Sequence, residues 1–579
     1  MAILSGAEIF VESLYCEDVE VVFGYPGGAV LPIYDILYDA EFEHIMPHHE
    51  QGGIHAADGY ARSTGKVGVC IATSGPGGTN LVTGLATAYM DSVPVIAFTG
   101  QVPRAMLGTD AFQEADITGI TTPITKHNYL VQDVKDLPRI IKEAFHIAKT
   151  GRPGPVLIDI PKDVLTDKTE FSYPKEVNLP GYKPNYDGHP CQIKEAARDI
   201  NNAKKPLIYA GGGVIISGAS NELRQLAKGA TIPVTTTLTG LGSFDERDEL
   251  GLGMLGMHGT TEANLAISNA DLIIAIGARF DDRVTGKLEK FAPNAKVIHI
   301  DIDPAEVGKR VNVDVPIVGD VKRILVKLNK VVEKNNREAW LNQIKEWKLL
   351  DSKQEESRED KKLSAKPIIE EIFNLTNGEA LITTEVGQHQ MWAAQFYKYT
   401  KPRSFMTSGG LGTMGYGFPA SIGVQVGNKD SAVFALAGDG SFQMNIQEFA
   451  TIAKNKIPVN IVILNNQYLG MVRQWQEMFY DKRYSSTCLR KREECPPDCS
   501  SPSSNCPEMI PDFVKVAEGY GIKAVRVTEV EEVRPALEEA INSSEPFLID
   551  CIIEEEENVF PMVPPGGSLD KMILKGDQS

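Results

Sequence analysis

The chain has 579 residues, 42% hydrophobic and 23% charged, with a net charge of −19. That length suits about three to four domains with sizeable cores, and the acidic balance argues against nucleic acid, which needs basic patches. No apolar run reaches the roughly 18 residues of a membrane span.

The N-terminus, MAILSGAEIFVESLYCEDVE, reads as an acid-bearing amphipathic helix, not a basic transit peptide or signal sequence, so a cytoplasmic protein is expected. Cys16, Cys70 and Cys551 lie scattered in apolar runs, as reduced thiols of that compartment do. The first block, 1–165, holds VGVCIATSGPGGTN (strand, glycine turn, helix start), then VPVIAFTG and GPVLIDIP as strands. Strands alternating with helices imply a parallel sheet. FSYPKEVNLPGYKPNYDGHP reads as a linker. The second block, 190–335, has KPLIYAGGGV, IPVTTTL, ADLIIAIGARF and AKVIHIDIDP as strands and their exits. Residues 331–365 are dense in charge and read as solvated helix and linker. The third block spans 366–550, and a tail, 551–579, follows. The fold expected is α/β, with three doubly wound parallel-sheet domains.

Two motifs in the third block carry chemistry. SAVFALA runs into Gly438-Asp439-Gly440, and VNIVIL runs into Asn465-Asn466. Both runs read as buried parallel strands, and the interval GSFQMNIQEFATIAKNK reads as a helix. The motifs should therefore sit side by side at the carboxyl ends of adjacent strands, where open α/β sheets bind ligands. Glycine lets the backbone approach a diphosphate, and Asp439 with Asn466 offers hard oxygens to Mg²⁺. In the second block, strand exits carry YAGGGV, LGMHG, GARFDDR, HIDID and VGD, whose amides, arginines and acids suit a dinucleotide's phosphates and hydroxyls. No GxGxxG fingerprint is present.

The GDG–NN pair resembles the thiamine diphosphate (ThDP) fingerprint. FGYPGGAVLPIYD, HHEQGGIHAADGYAR, TSGPGGTN, DAFQEADI, GRPGPVLIDIPKDV, LGMHG, GARFDDRVTG, EVGQHQMW, GGLGTMGYGFPA and NNQYLGMVRQWQ extend the likeness in order over nearly the whole chain. Together they resemble the catalytic large subunit of the acetohydroxyacid synthase (acetolactate synthase) family. The resemblance implies pyrimidine-binding, central flavin-binding and diphosphate-binding domains, in that order. It implies that pyruvate loses CO₂ and that the hydroxyethyl carbanion attacks a second pyruvate or 2-ketobutyrate, at the head of branched-chain amino-acid synthesis.

The resemblance also assigns residues. Glu50 would be the cofactor-activating acid, with Gln113 and Lys162 in catalytic positions and Gly28, Phe112, Met471 and Trp475 around the substrate. Trp475 would favour 2-ketobutyrate, since an indole can pack on the extra methyl. Val386, Gly387, Gln388, His389, Gly412, Gly438, Gly440 and Ser441 would touch the cofactor, and Met414 would be its apolar prop. Asp439, Asn466 and the backbone carbonyl of Tyr468 would hold Mg²⁺, leaving the Tyr468 side chain poorly constrained; Arg473 belongs to no motif. FAD would lie against Arg152, Gly211, Gly212, Gly213, Met257, His258, Gly277, Arg279, Asp281, Arg283, Asp301, Asp303, Gly319 and Asp320, structural because the chemistry has no net redox change. Partners implied are a second copy of the chain (homodimer or tetramer) and a small regulatory subunit. The chain departs from the pattern at 488–508, where Pro and Ser surround Cys488, Cys495, Cys499 and Cys506. Disordered insertion, structural metal site and disulfide clip all stay open for this loop.

Overall fold

The computed structural model describes residues 2–355, 362–491, 506 and 509–575. Three six-stranded sheets, every neighbouring pair parallel, follow one another along the chain. Numbered within each block, the first and third sheets both run 2-1-3-4-6-5, and the middle sheet runs 3-2-1-4-5-6. The central strands are apolar and buried throughout, as in Leu272–Ile276 and Val433–Gly438. Strands covered by helices on both faces need such sequences. The N-terminal helix, Gly6–Cys16, starts on a reciprocal Ser5–Glu8 capping box and buries Ile9, Phe10 and Leu14 under the first sheet. Among the described residues no helix is long and apolar enough to cross a membrane.

The first and third blocks are joined by two glycine-bearing helices, Glu50–Thr64 and Gly417–Gly427. A Cβ on Gly423 would stand 1.7 Å from the Ala56 carbonyl oxygen, and one on Gly59 would stand 2.2 Å from that of Ala420. The axes can approach this closely only because both positions lack a side chain.

Three expectations change. The interval after Gly440 is not one helix: Asn445 leaves helical geometry (φ −131°) and donates its side-chain amide to the Gly415 carbonyl, so the segment breaks into Asp439–Phe442, a 3₁₀ stretch Gln443–Glu448, and Phe449–Asn455. The charge-dense stretch is not wholly solvated. Arg337 is buried and donates to the carbonyls of Ile200, Ala203 and Ala230, while Trp340, on the helix Glu338–Glu355, is buried and donates to Pro206. A charge count misses this because one arginine at the ends of two other helices satisfies carbonyls that water would otherwise reach. The last strand, Phe547–Ile552, runs through the boundary placed at 550. Of the cysteine loop, Cys488 is exposed and Cys506 half-buried; Cys495 and Cys499 lie outside the described residues.

Candidate functional site

Gly438 and Asn465 end neighbouring strands in register, Gly438 opposite Leu464, so the two motifs share one sheet edge. Asp439 is buried there, and its Oδ2 has no hydrogen-bond partner among the described residues. Burial pushes its carboxyl up to about 8. A lone buried carboxylate oxygen needs a cation or a proton. Asn466 Oδ1 accepts from the Tyr468 amide (3.1 Å), and its Nδ2 donates to Gln388 Oε1 (3.1 Å). Gln388 in turn donates to Gln474 and to the Glu557 carbonyl. His389 is buried and neutral, its ring pulled down to about 3 by burial and packed against Gly438. Asp439, Asn466 and the Tyr468 carbonyl form an oxygen set suited to a hard divalent ion.

Met414 lies on the loop 408–416, which is gripped from two sides. On one side, Asp91 accepts from the amides of Gly409 (2.9 Å) and Gly410 (2.7 Å), and Thr87 Oγ1 lies 2.8 Å from Thr413 Oγ1. Arg62 holds Asp91 in place while also pairing with the buried Asp58. On the other, the buried Glu385 accepts from the amides of Gly415 (2.6 Å) and Phe418 (2.9 Å) and from the Ser441 hydroxyl (2.8 Å). Burial pushes the Glu385 carboxyl up to about 7.

The first sheet presents its own carboxyl edge. Glu50 begins the helix Glu50–Thr64, and its Oε2 accepts from Asn80 Nδ2 (2.9 Å). The backbone just before it is anchored to the third block, because the His48 amide donates to Glu448, a buried carboxyl pushed up to about 7. Gln113 takes a left-handed φ of +59° and packs on Gly75 of the TSGPGG turn. Phe112 is 87% exposed, Gly28 has open space where a Cβ would project, and Lys162 is exposed at the exit of Val156–Pro161. These residues cluster at one sheet edge without closing a pocket.

A cavity of about 780 Å³ lies where all three blocks meet, with Met90, Asp91, Ser92 and Lys149 of the first block in its wall. From the middle block come Gly212, Gly213, Met257, His258, Gly277, Arg279, Asp281, Arg283, Asp301 and Asp320, with Arg152 beside them. From the third come Val386, Gly387, Gly412, Met414, Met471 and Trp475. Gly211, Asp303, Gly319, Gln388, His389, Gly438, Asp439, Gly440 and Ser441 are not in its wall, nor are Gly28, Glu50, Phe112, Gln113 and Lys162. The 3-2-1-4-5-6 order places a crevice outside the strand ends, where dinucleotides bind, and three arginines line it among the acids Asp91, Asp281, Asp282, Asp301, Glu306 and Asp320. Several acids there also have structural partners: Asp281 caps Asp282–Thr285, Asp320 caps Val321–Leu328, and Asp303 with Glu306 holds Arg152. Arg283 lies over the Trp475 ring at 5.8 Å, so the two blocks meet at that indole.

Two readings of the loop after Asn466 are corrected. Tyr468 is only 6% exposed, and its ring lies between the guanidinium groups of Arg473 (4.9 Å) and Arg490 (5.3 Å). Its side chain is held, because the ring fills the space between the metal-type turn and the chain's acidic tail. Arg473 is buried there and pairs with Glu556 (3.0 Å). Glu385, Asp91, Glu448 and Arg490 escaped sequence reasoning. The one available signal was Glu385, an acid at the end of the apolar run ALITT.

The chain matches three family models: "Thiamine pyrophosphate enzyme, N-terminal TPP binding domain" over 4–120, "central domain" over 193–328 and "C-terminal TPP binding domain" over 385–551. It is 50% identical to the probable acetolactate synthase large subunit of Methanocaldococcus jannaschii, over 98% of this chain and 95% of that one. It is 50% identical to the acetolactate synthase large subunit of Corynebacterium glutamicum, over 98% and 89%. It is 48% identical to the chloroplastic acetolactate synthase 1 of Nicotiana tabacum, over 99% and 85%.

Proposed function

This chain belongs to the acetolactate synthase large-subunit family of thiamine pyrophosphate enzymes, and on that premise we propose how its residues carry the reaction. Pyruvate is decarboxylated, and its two-carbon fragment is joined to a second pyruvate or to 2-ketobutyrate. The products are 2-acetolactate or 2-aceto-2-hydroxybutyrate, with one CO₂, as the first common step of branched-chain amino-acid synthesis. The observation that carries this reading is the continuous cavity, which runs from a dinucleotide-type crevice to Met414, Met471 and Trp475.

Thiamine diphosphate, when bound, supplies the electron sink that decarboxylation of a 2-keto acid needs. The amides of Gly440 and Ser441 hold its diphosphate, while Asp439, Asn466 and the Tyr468 carbonyl hold Mg²⁺; the unpartnered Asp439 oxygen supports that fit. Glu50, its Oε2 accepting from Asn80 Nδ2, would exchange a hydrogen bond and a proton with the pyrimidine end of the cofactor. Met414 forms an apolar support on a loop clamped by Asp91 and Glu385. Arg152, Arg279 and Arg283 line the middle crevice and would meet the phosphates of FAD, which would be structural there because no electrons are gained or lost overall. Trp475 packs against the acceptor's side chain.

The exposed Gly28, Phe112 and Lys162 support a site completed by a second copy of the chain, as a homodimer or tetramer. The relatives named as large subunits support a small regulatory partner.

The test is product analysis with pyruvate and 2-ketobutyrate in competition. Acetolactate and acetohydroxybutyrate are expected; hydrogen peroxide or acetyl phosphate in their place overturns the assignment. Trp475→Leu should lower the preference for 2-ketobutyrate by about tenfold, the worth of one methylene in such a pocket, and an unchanged product ratio removes Trp475 from acceptor selection.

A further inference from the structure

Gln467, between the two residues assigned to the metal turn, has a φ of +63°. A non-glycine residue keeps that left-handed geometry only when its surroundings hold it there. Asn465 Oδ1 accepts from the Gln467 amide (3.2 Å), and the Leu489 amide donates to the Gln467 carbonyl (3.0 Å). The remaining handle, the Gln467 side chain, is held by Arg490, whose Nε donates to Oε1 at 2.8 Å. The same guanidinium donates through Nη1 to the Tyr468 hydroxyl (3.0 Å) and through Nη2 to Glu555 (3.1 Å). Its side chain is 4% exposed, so its charge is balanced inside the protein by Glu555 and by the face of the Tyr468 ring. One planar fork thus reaches both residues that follow Asn466.

We infer that Arg490 is a positioning residue for the Mg²⁺ turn, fixing Gln467 and Tyr468 so that the Asn466 side chain and the Tyr468 carbonyl present their oxygens beside Asp439. This deepens the magnesium reading above and rests on it. Groups one step behind metal ligands set the ligands' orientation, and losing one typically weakens metal binding about 10- to 100-fold. Lysine is a poor substitute, because one ammonium cannot reproduce a planar three-way grip.

The experiment titrates Mg²⁺ into flavin-loaded protein with saturating ThDP, following ThDP binding by calorimetry, and counts bound Mn²⁺ by electron paramagnetic resonance. Neither readout needs turnover. Arg490→Met should raise the half-saturating Mg²⁺ concentration by about 10- to 100-fold, Arg490→Lys should recover only part of the loss, and Tyr468→Phe, which deletes a single hydrogen bond, should give a smaller rise. Lys362→Met serves as the control for tail anchoring alone, since Lys362 also pairs with Glu555 (2.9 Å) and no described contact ties it to the turn. Its Mg²⁺ requirement should match wild type. Unchanged Mg²⁺ and Mn²⁺ affinity in folded Arg490→Met, or in Tyr468→Phe should the first variant fail to fold, overturns the inference. So does an equal loss in Lys362→Met. If wild type itself binds ThDP without regard to Mg²⁺, the magnesium reading falls first, an outcome distinct from a variant that matches a Mg²⁺-dependent wild type.

Discussion

The outer two sheets share one strand order and the middle sheet has another. In the outer sheets, the carboxyl edge carries acids and turns: Glu50 and Gln113 on the first, the buried Asp439 and Asn466 on the third. In the middle sheet, the exits are lined by glycines and arginines facing a crevice. The middle sheet's switch-point crevice opens into a cavity that residues of the first and third blocks complete, whereas Glu50, Gln113, Asp439 and Asn466 lie outside its wall.

That division can be broken at its strongest point first. Glu50→Gln should slow exchange of the cofactor's acidic carbon proton by about 10²- to 10⁴-fold, the usual scale for an acid–base group, while leaving FAD content unchanged. Mixed with Asp439→Ala, it should regain part of the activity if the two outer edges meet between copies; hydrogen exchange by nuclear magnetic resonance and activity of the mixture decide, and no recovery places both edges in one chain.

Gly277→Ala probes the middle sheet. Gly277 has φ +55°, and a Cβ there would stand 2.7 Å from Gly213 Cα. Strain of roughly 1–3 kcal/mol should weaken FAD binding by about tenfold or more, measured by flavin fluorescence, with Mg²⁺-dependent ThDP binding kept. Parallel loss of both would mean that the middle and outer blocks are one binding unit.

The smallest effect concerns pH. Burial holds the Glu385 carboxyl near 7, above its ordinary value of 4.5, so the folded chain keeps a proton that the unfolded chain loses first. Its contribution to stability is complete below about 4.5 and is lost as pH rises through about 7. Glu385→Gln lacks that loss, so its stability relative to wild type should improve between pH 5 and 8 by up to about 3 kcal/mol. Urea unfolding of cofactor-free protein at the two pH values checks this; parallel curves would show that the three donors, Gly415, Phe418 and Ser441, already keep the group ionised.

Much of this plan was legible in sequence. Continuous apolar runs announce parallel strands, and punctuation by GDG, NN and GARFDDR marks their exits. What escaped was everything defined by a partner distant in sequence. Asp91 is an ordinary helix-end acid until the Gly409 and Gly410 amides arrive, and Arg473 is one cation among many until two tyrosines enclose it. The middle block's dinucleotide character was also half hidden, because strand order cannot be read from strand content. Tyr468 looked free for the same reason: its constraint comes from Arg490, across a turn.

The glycine-spaced crossing of Glu50–Thr64 on Gly417–Gly427 has a mechanical consequence. With helix backbones in direct contact at Gly59 and Gly423, there is no layer of side chains to slide or repack, so the first and third blocks of one chain translate as a single solid. The freedom left to the chain lies between that solid and the middle sheet, across contacts such as Arg283 on Trp475, Gln395 on the His258 carbonyl and the Tyr399 amide on Glu246.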